Sequence, residues 1–437
     1  MRRTLFGTTV VLFVLAGVAL GAGVGTGQPP GVGAGAGQAP PDAGPNTGGG
    51  NDQGLLGSLS GGALALVVGT VDVGTHALLW ASLLVFGGVA LTWVVTTYVV
   101  GGGYRTPAPA YGPDDVQVRI LTVDAESVVQ GTVDSLPDAL VDRHVVAEEP
   151  LDVDGATVHV VPDDFECDAV RKGRAVEWAR RTLDCDREFV LYLDEDSVLE
   201  SFDGLPEGDV VQLRERPQQT GSVLSYLADV YRMGVQFEQR AFARLSIPLF
   251  AWGGGIAVRT DVEEAVTWDR ASLVEDTAFV WAAARGRDLD FELADVVCRN
   301  QAPPSLTDVL QQRRRWAAGN HAEASRLPLH YRLLTRVRNY AWALSPLFTA
   351  AVVPLTLAGA VVVDDSLYRT LSVALGALTA FWYVRGALWY RSSDGSRALG
   401  LLLALPLLPV VSVVHSAGTV WGLLDPPERF RVTTKAT

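Results

Sequence analysis

Asp194 and Asp196 follow directly on the apolar run EFVLYL (188–193), which puts two carboxylates at the carboxyl end of a buried strand. Ligands of α/β sheets bind in the crevice beyond such strand ends. Two acids there can hold Mg²⁺ or Mn²⁺, hard ions that take oxygen ligands and keep positions open for a diphosphate. An acidic chain also makes D-x-D by chance, as at Asp152/Asp154, Asp184/Asp186 and Asp288/Asp290, but only Asp194/Asp196 has the strand before it. The alternative at 194–196 is a solvated acidic turn.

Two further groups could act beside that pair. Glu275 and Asp276 precede the helical stripe Ala278, Phe279 and Ala282. A carboxylate there serves as a helix cap or, facing a cleft, as a general base that takes a proton from a hydroxyl. Gln312, Arg315 and Trp316 lie at i, i+3 and i+4 of an amphipathic helix that opens at Ser305 with Asp308, so they share a face. They offer an amide, a fork of N–H donors and a flat ring, suited to anionic oxygens and a sugar face. The alternative is a basic helix meeting lipid headgroups.

The elements that must position these groups alternate. VQVRILTV (116–123), RHVVAE, TVHVVP (157–162) and EFVLYL read as strands, and SVVQGTVDSL and AVRKGRAVEWARRTL as helices. That alternation implies a parallel sheet with crossover helices. A helix is expected over 223–245, its Tyr, Phe and Leu positions serving as core or as a stacking platform for a sugar.

The chain has 437 residues, 48% hydrophobic and 19% charged, with the apolar residues gathered at its two ends. The expected division is a transmembrane or signal-like segment (1–22), a disordered Gly/Pro/Ala-rich linker (23–60) and a transmembrane helix (61–103). A soluble domain (104–338), two or three transmembrane helices (339–424) and a short tail (425–437) follow. Basic flanks at Arg2, Arg3, 313–338, Arg391 and Arg397, against Asp364 and Asp365, make this a multi-pass cell-membrane protein with its soluble domain in the cytosol. Arg429, Arg431 and Lys435 would break that parity unless the last, proline-containing segment is re-entrant.

A formal charge of −14 argues against nucleic acid as a partner. Only Lys172 and Lys435 are lysines, and an Arg bias with acidic excess suits a halophilic chain. Cys167, Cys185 and Cys298 have no paired spacing and read as small packing residues in a reducing compartment. A transporter would need more ionisable residues within the spans than Arg385 and His415.

In this order LDEDS, WGGGIAVR (252–259), VEDTAF and QQRRRW resemble the membrane-embedded glycosyltransferases of family 2, the group of cellulose and hyaluronan synthases, and above all egghead-type β-mannosyltransferases. The resemblance runs from about Val116 to Asn320. It implies an α/β fold, a GT-A (nucleotide-diphospho-sugar transferase) domain inserted between transmembrane helices. It further implies that Asp194 and Asp196 bind the metal and donor diphosphate, that Asp276 is the base, that Gln312, Arg315 and Trp316 line the acceptor and diphosphate site, and that Glu275 and Gly254 lie around the substrates. VRKGRAVEWA is similar to the family's K-x-R-A-L-x-x-A segment and sets Lys172 and Arg174 near the donor phosphates. ILTVDAES (120–127), with Asp124 and Glu126, stands at the place of the nucleotide loop but lacks the Pro and Asn of P-T-x-N-E. The implied reaction moves a sugar, with inversion, from a nucleotide-diphosphate sugar to a lipid-linked or glycan acceptor at the membrane. The alternatives are a processive polysaccharide synthase and a non-catalytic interaction protein.

Overall fold

The computed structural model describes residues 74, 76–357 and 366–427, so the expectations for 1–22, 23–60 and most of the tail lie outside the described residues. Its centre is one eight-stranded sheet in the order β3-β2-β1-β4-β7-β6-β8-β5. The first half is the parallel arrangement the sequence implies: β1 (Val116–Thr122), β2 (Arg143–Ala147), β3 (Thr157–Val160) and β4 (Phe189–Asp194). Helices α2 (Glu126–Asp134) and α3 (Lys172–Thr182) make the crossovers, as their 3.6-residue patterns predict.

Beyond β4 the sheet is mixed, which corrects the expectation of an all-parallel one. β7 (Ile256–Arg259) runs antiparallel to both β4 and β6 (Val210–Gln218), and β8 (Phe291–Gln301) pairs parallel with β6 and antiparallel with β5 (Val198–Leu199). β4 is apolar throughout because alternate residues enter two cores. Val190 and Tyr192 pack with Trp268, Phe279 and Phe291, while Leu191 and Leu193 pack on the opposite side with Val129 and Val133.

Five α-helices follow β6 in the chain as far as residue 357. These are α4 (Val223–Gln236), α5 (Thr260–Val266), α6 (Glu275–Gly286), α7 (Leu306–Glu323) and α8 (Leu329–Leu357). The helix expected over 223–245 is α-helical only to Gln236 and tightens to 3₁₀ over Phe237–Arg244. Three helices among the described residues are long and apolar enough to cross a membrane: α1 (His76–Val100), α9 (Ser366–Leu388, with its 3₁₀ extension to Ser392) and the segment Leu405–Leu424. The last expected span, 398–424, is broken into α10 (Gly395–Leu403) and α11 (Leu408–Leu424), because Pro406 and Pro409 are tolerated only in first turns.

Two close crossings bolt α4 and α7 to these apolar helices. A Cβ at Gly234 of α4 would overlap the Trp382 carbonyl of α9, and one at Gly386 would overlap that of Val230. On α11, Gly418 and Gly422 stand against the Leu310 and Arg314 carbonyls of α7 in the same way. Arg314 seals that crossing through Asp425 at 2.7 Å and by lying 4.2 Å over Trp421.

Candidate functional site

The turn after β4 is pinned by four hydrogen bonds. The Glu195 carboxylate accepts from Thr122 Oγ1 at 2.6 Å, and the Glu195 carbonyl accepts from Thr132 Oγ1 at 2.6 Å. Asp196 Oδ2 accepts the Gln301 N–H at 2.8 Å, and Ser197 Oγ donates to the Gly254 carbonyl. Glu195, the middle acid of the motif, thus anchors the turn to β1, and both Asp194 and Asp196 line a cavity of about 710 Å³.

Asp276 lines the same cavity. Of its two readings, the structure excludes the cap: the N-cap of α6 is Val274, and no side chain caps the helix. The GGG run explains how the carboxylate reaches its place, since a Cβ at Gly253 would collide with it. Gly253 lines the cavity, whereas Gly254 packs against Trp252 and turns its carbonyl to Ser197.

Lys172 is the hub of the acids. Its Nζ lies 2.6 Å from Asp194 Oδ1, 3.8 Å from both Glu275 Oε1 and Asp276 Oδ1, and donates to the Gly253 carbonyl at 3.2 Å. Burial opposes the ammonium charge, but Asp194, Asp276 and Glu275 outweigh it and hold the lysine above its usual range. Burial pushes Asp276 up to about 7; Glu275 and Asp194 add to this, and Lys172 and Arg315 oppose it. A carboxyl near 7 has the proton affinity a base needs at neutral pH.

Gln312, Arg315 and Trp316 all line the cavity, as their shared helical face predicts. Ser305 accepts the Asp308 N–H at 3.1 Å, but Asp308 takes the Ser305 hydroxyl proton and not the backbone N–H of a full capping box. Arg315 donates to the Leu273 carbonyl at 3.2 Å. Over the Trp316 ring lie two guanidiniums, those of Arg313 at 4.4 Å and Arg232 at 5.4 Å.

The remaining expected residues divide. Arg174 lines the cavity, but its guanidinium is occupied by Glu148 at 2.7 Å and by the Phe165 and Pro162 carbonyls. Asp124 and Glu126 are exposed and lie outside the cavity lining, with Glu126 accepting the Asp152 N–H at 3.1 Å. The acids Glu148 and Glu149, just after β2, line it in their place. In α4, Tyr226, Leu227 and Val230 are core, and Tyr231 faces the cavity. Glu215, Arg232 and Trp252 also line it without having been singled out in the sequence. The only signal for the first two was a pair of charges inside otherwise apolar patterns.

The family described as Glycosyl transferase family group 2 matches residues 183–385. The chain is similar to the β-1,4-mannosyltransferase egh of Drosophila melanogaster, 24% identical over 304 residues that make up 63% of this chain and 66% of that protein. It is also similar to the β-1,4-mannosyltransferase bre-3 of Caenorhabditis elegans, 26% identical over 230 residues, 48% of this chain and 49% of that protein. The chain thus spans less than two thirds of either relative's length. A solved structure, glucosyl-3-phosphoglycerate synthase from Mycobacterium tuberculosis in complex with phosphoglyceric acid, aligns with 50% of this chain and 85% of that one at 15% identity and a TM-score of 0.32. By its family match and its curated relatives, the chain is similar over residues 183–385 to the family 2 glycosyltransferases and, over a longer stretch, to the egghead-type β-mannosyltransferases.

Proposed function

We propose that the chain is an inverting glycosyltransferase that moves a sugar from a nucleoside-diphosphate donor to a hydroxyl of a lipid-linked or glycan acceptor at the membrane. What carries the reading is that Asp276, Asp194, Asp196, Gln312, Arg315 and Trp316 all line one cavity. Asp276 takes the proton of the acceptor hydroxyl as that oxygen attacks the anomeric carbon opposite the departing diphosphate. A single displacement of this kind inverts configuration and needs no covalent intermediate. Lys172 orients Asp276 and offsets the field of Glu275 and Asp194 around it.

Asp194 and Asp196 suit a divalent cation: they are hard oxygen donors lining the same cavity as the base. Among the described residues no third acid, His or Cys joins them as a ligand group, which fits an ion that completes its shell with substrate phosphates and water. Bound there, Mg²⁺ or Mn²⁺ would supply positive charge to the leaving diphosphate.

The cavity also extends to Phe86 and Trp93 of α1, Trp342 of α8 and Ser412 of α11, which supports an acceptor reaching the site from the membrane. The basic flanks support a cytosolic domain in a multi-pass cell-membrane protein. Its acidic, arginine-biased composition supports a halophilic chain that stays hydrated in concentrated salt.

Membranes containing the protein should be offered a panel of nucleotide sugars with Mg²⁺ or Mn²⁺ and a lipid extract. Consumption of one donor, with a lipid product of inverted anomeric configuration, supports the proposal. Retained configuration or transfer from none of the donors contradicts it.

A further inference from the structure

The ring of Trp316 and the amide of Gln312 stand at a joint between two helices that are each fastened elsewhere. α4 is locked to α9 at Gly234 and Gly386, and α7 to α11 at Gly418 and Gly422. Between α4 and α7 the polar link runs through Asp229, which is 1% exposed and does not line the cavity. Its Oδ1 accepts from Arg232 Nε at 2.9 Å and from Arg313, which is 0% exposed. Those are the two arginines whose guanidiniums lie over Trp316, and Arg313 also donates to Gln312 Oε1. Glu215 binds Arg232 through both oxygens, at 2.5 and 2.6 Å, but has no recorded bond to Arg313. One buried carboxylate therefore meets both cations that fix the tryptophan ring.

Stability alone does not require such an arrangement. Burying two acids and two arginines costs desolvation that their attraction only offsets, and well-packed apolar replacements of buried ion networks are often no less stable. What the network adds is a defined geometry, since each guanidinium is held by directed hydrogen bonds.

We infer that Asp229 is a positioning residue for the acceptor side of the site: through Arg313 and Arg232 it sets the orientation of Trp316 and Gln312. The inference rests on the glycosyltransferase reading for its kinetic consequence, but its structural content can be measured without turnover.

The test uses the full-length protein in membranes or detergent, with Asp229→Asn, Asp229→Glu and the double replacement Asp229→Leu/Arg313→Met, which leaves no unpaired charge. Acrylamide quenching of Trp316 is read as the difference between each background and the same background carrying Trp316→Phe. Asp229→Asn is expected to make Trp316 more accessible to quencher. It should also raise the acceptor KM on the order of tenfold to a hundredfold with the donor KM unchanged, the scale of losing one well-placed polar contact to a bound substrate. Asp229→Glu is expected to restore part of both. The double variant, if folded, should show the same acceptor-selective loss. Wild-type quenching and acceptor KM in Asp229→Asn or in the folded double variant overturn the inference, as does a loss falling equally on donor and acceptor. A wild-type protein that transfers no sugar counts against the proposed reaction instead, and the quenching experiment still decides the role of Asp229.

Discussion

Lys172 Nζ lies 3.8 Å from Asp276 Oδ1 while touching Asp194 Oδ1 at 2.6 Å, so one ammonium joins the acid proposed to take the acceptor's proton to the acid proposed to face the diphosphate. The cation's partial hold on Asp276 leaves burial as the larger influence, and the carboxyl sits near 7.

That value sets the pH dependence. The base works only when ionised, so kcat/KM for transfer should fall as pH drops through about 7 and level off above it. The stability contribution has the opposite sign. The folded state binds this proton more tightly than the unfolded chain, so the contribution is largest below the ordinary aspartate value and is lost as pH rises through 7. Asp276→Asn should therefore keep or raise the Tm at pH 8 while abolishing transfer. A pH-independent kcat/KM between 5.5 and 8, a range of about 2.5 pH units around that value, would contradict the assignment.

Replacing Lys172 by Met removes the cation from among Asp194, Glu275 and Asp276. The carboxyl of Asp276 should then rise further, and the acidic limb of the pH profile should move to higher pH with a lower plateau. An arginine at 172 keeps the charge but brings a wider planar head into a space shaped for an ammonium, and should restore the limb only in part. A limb that stays in place in Lys172→Met would remove lysine from the account.

Gly253 leaves room for the Asp276 carboxylate. Gly253→Ala should displace that group and lower kcat by about a hundredfold or more, the cost expected of a misplaced reacting group. Thermal unfolding should move by only a few degrees. Near wild-type kcat in this variant would show that the carboxylate has freedom the packing denies it.

The crossing of α7 on α11 is the mechanical base of Gln312 and Trp316. Gly418→Val would drive its side chain into the Leu310 carbonyl and the Arg313 Cβ. A loss of about 1–3 kcal/mol of stability is expected, with acceptor use failing before donor binding. Equal loss of donor and acceptor binding in the protein that remains folded would argue that the crossing supports the whole domain and not this one side.

Much of this site is legible in the sequence because its signals are local. β4 is a run of apolar residues ending on Asp194, and the helical spacing of Gln312, Arg315 and Trp316 suffices to put them on one face. Asp276 is ambiguous at that level, since a cap and a base look alike until the helix boundary is known. The N-cap at Val274 removes the cap from the two readings. β6 and β8 escape notice because Arg214, Glu215, Arg216 and Arg299 interrupt their apolar pattern, and these charges are accommodated only through partners distant in the chain. The same blindness affects Lys172 and Arg174. Both resemble free phosphate-binding cations by motif, yet one is surrounded by acids and the other is paired with Glu148, which lies 26 residues away. Asp124 and Glu126 follow the expected strand, but the chain turns them outward and brings Glu148 and Glu149 to the cavity.

The most direct test of the account is sugar transfer by Asp276→Asn, measured beside binding of the same nucleotide sugar to the same preparation. The account predicts unchanged donor binding and a folded protein, with transfer reduced by about 10²-fold to 10⁴-fold. Transfer near the wild-type rate, with binding and folding intact, would contradict it.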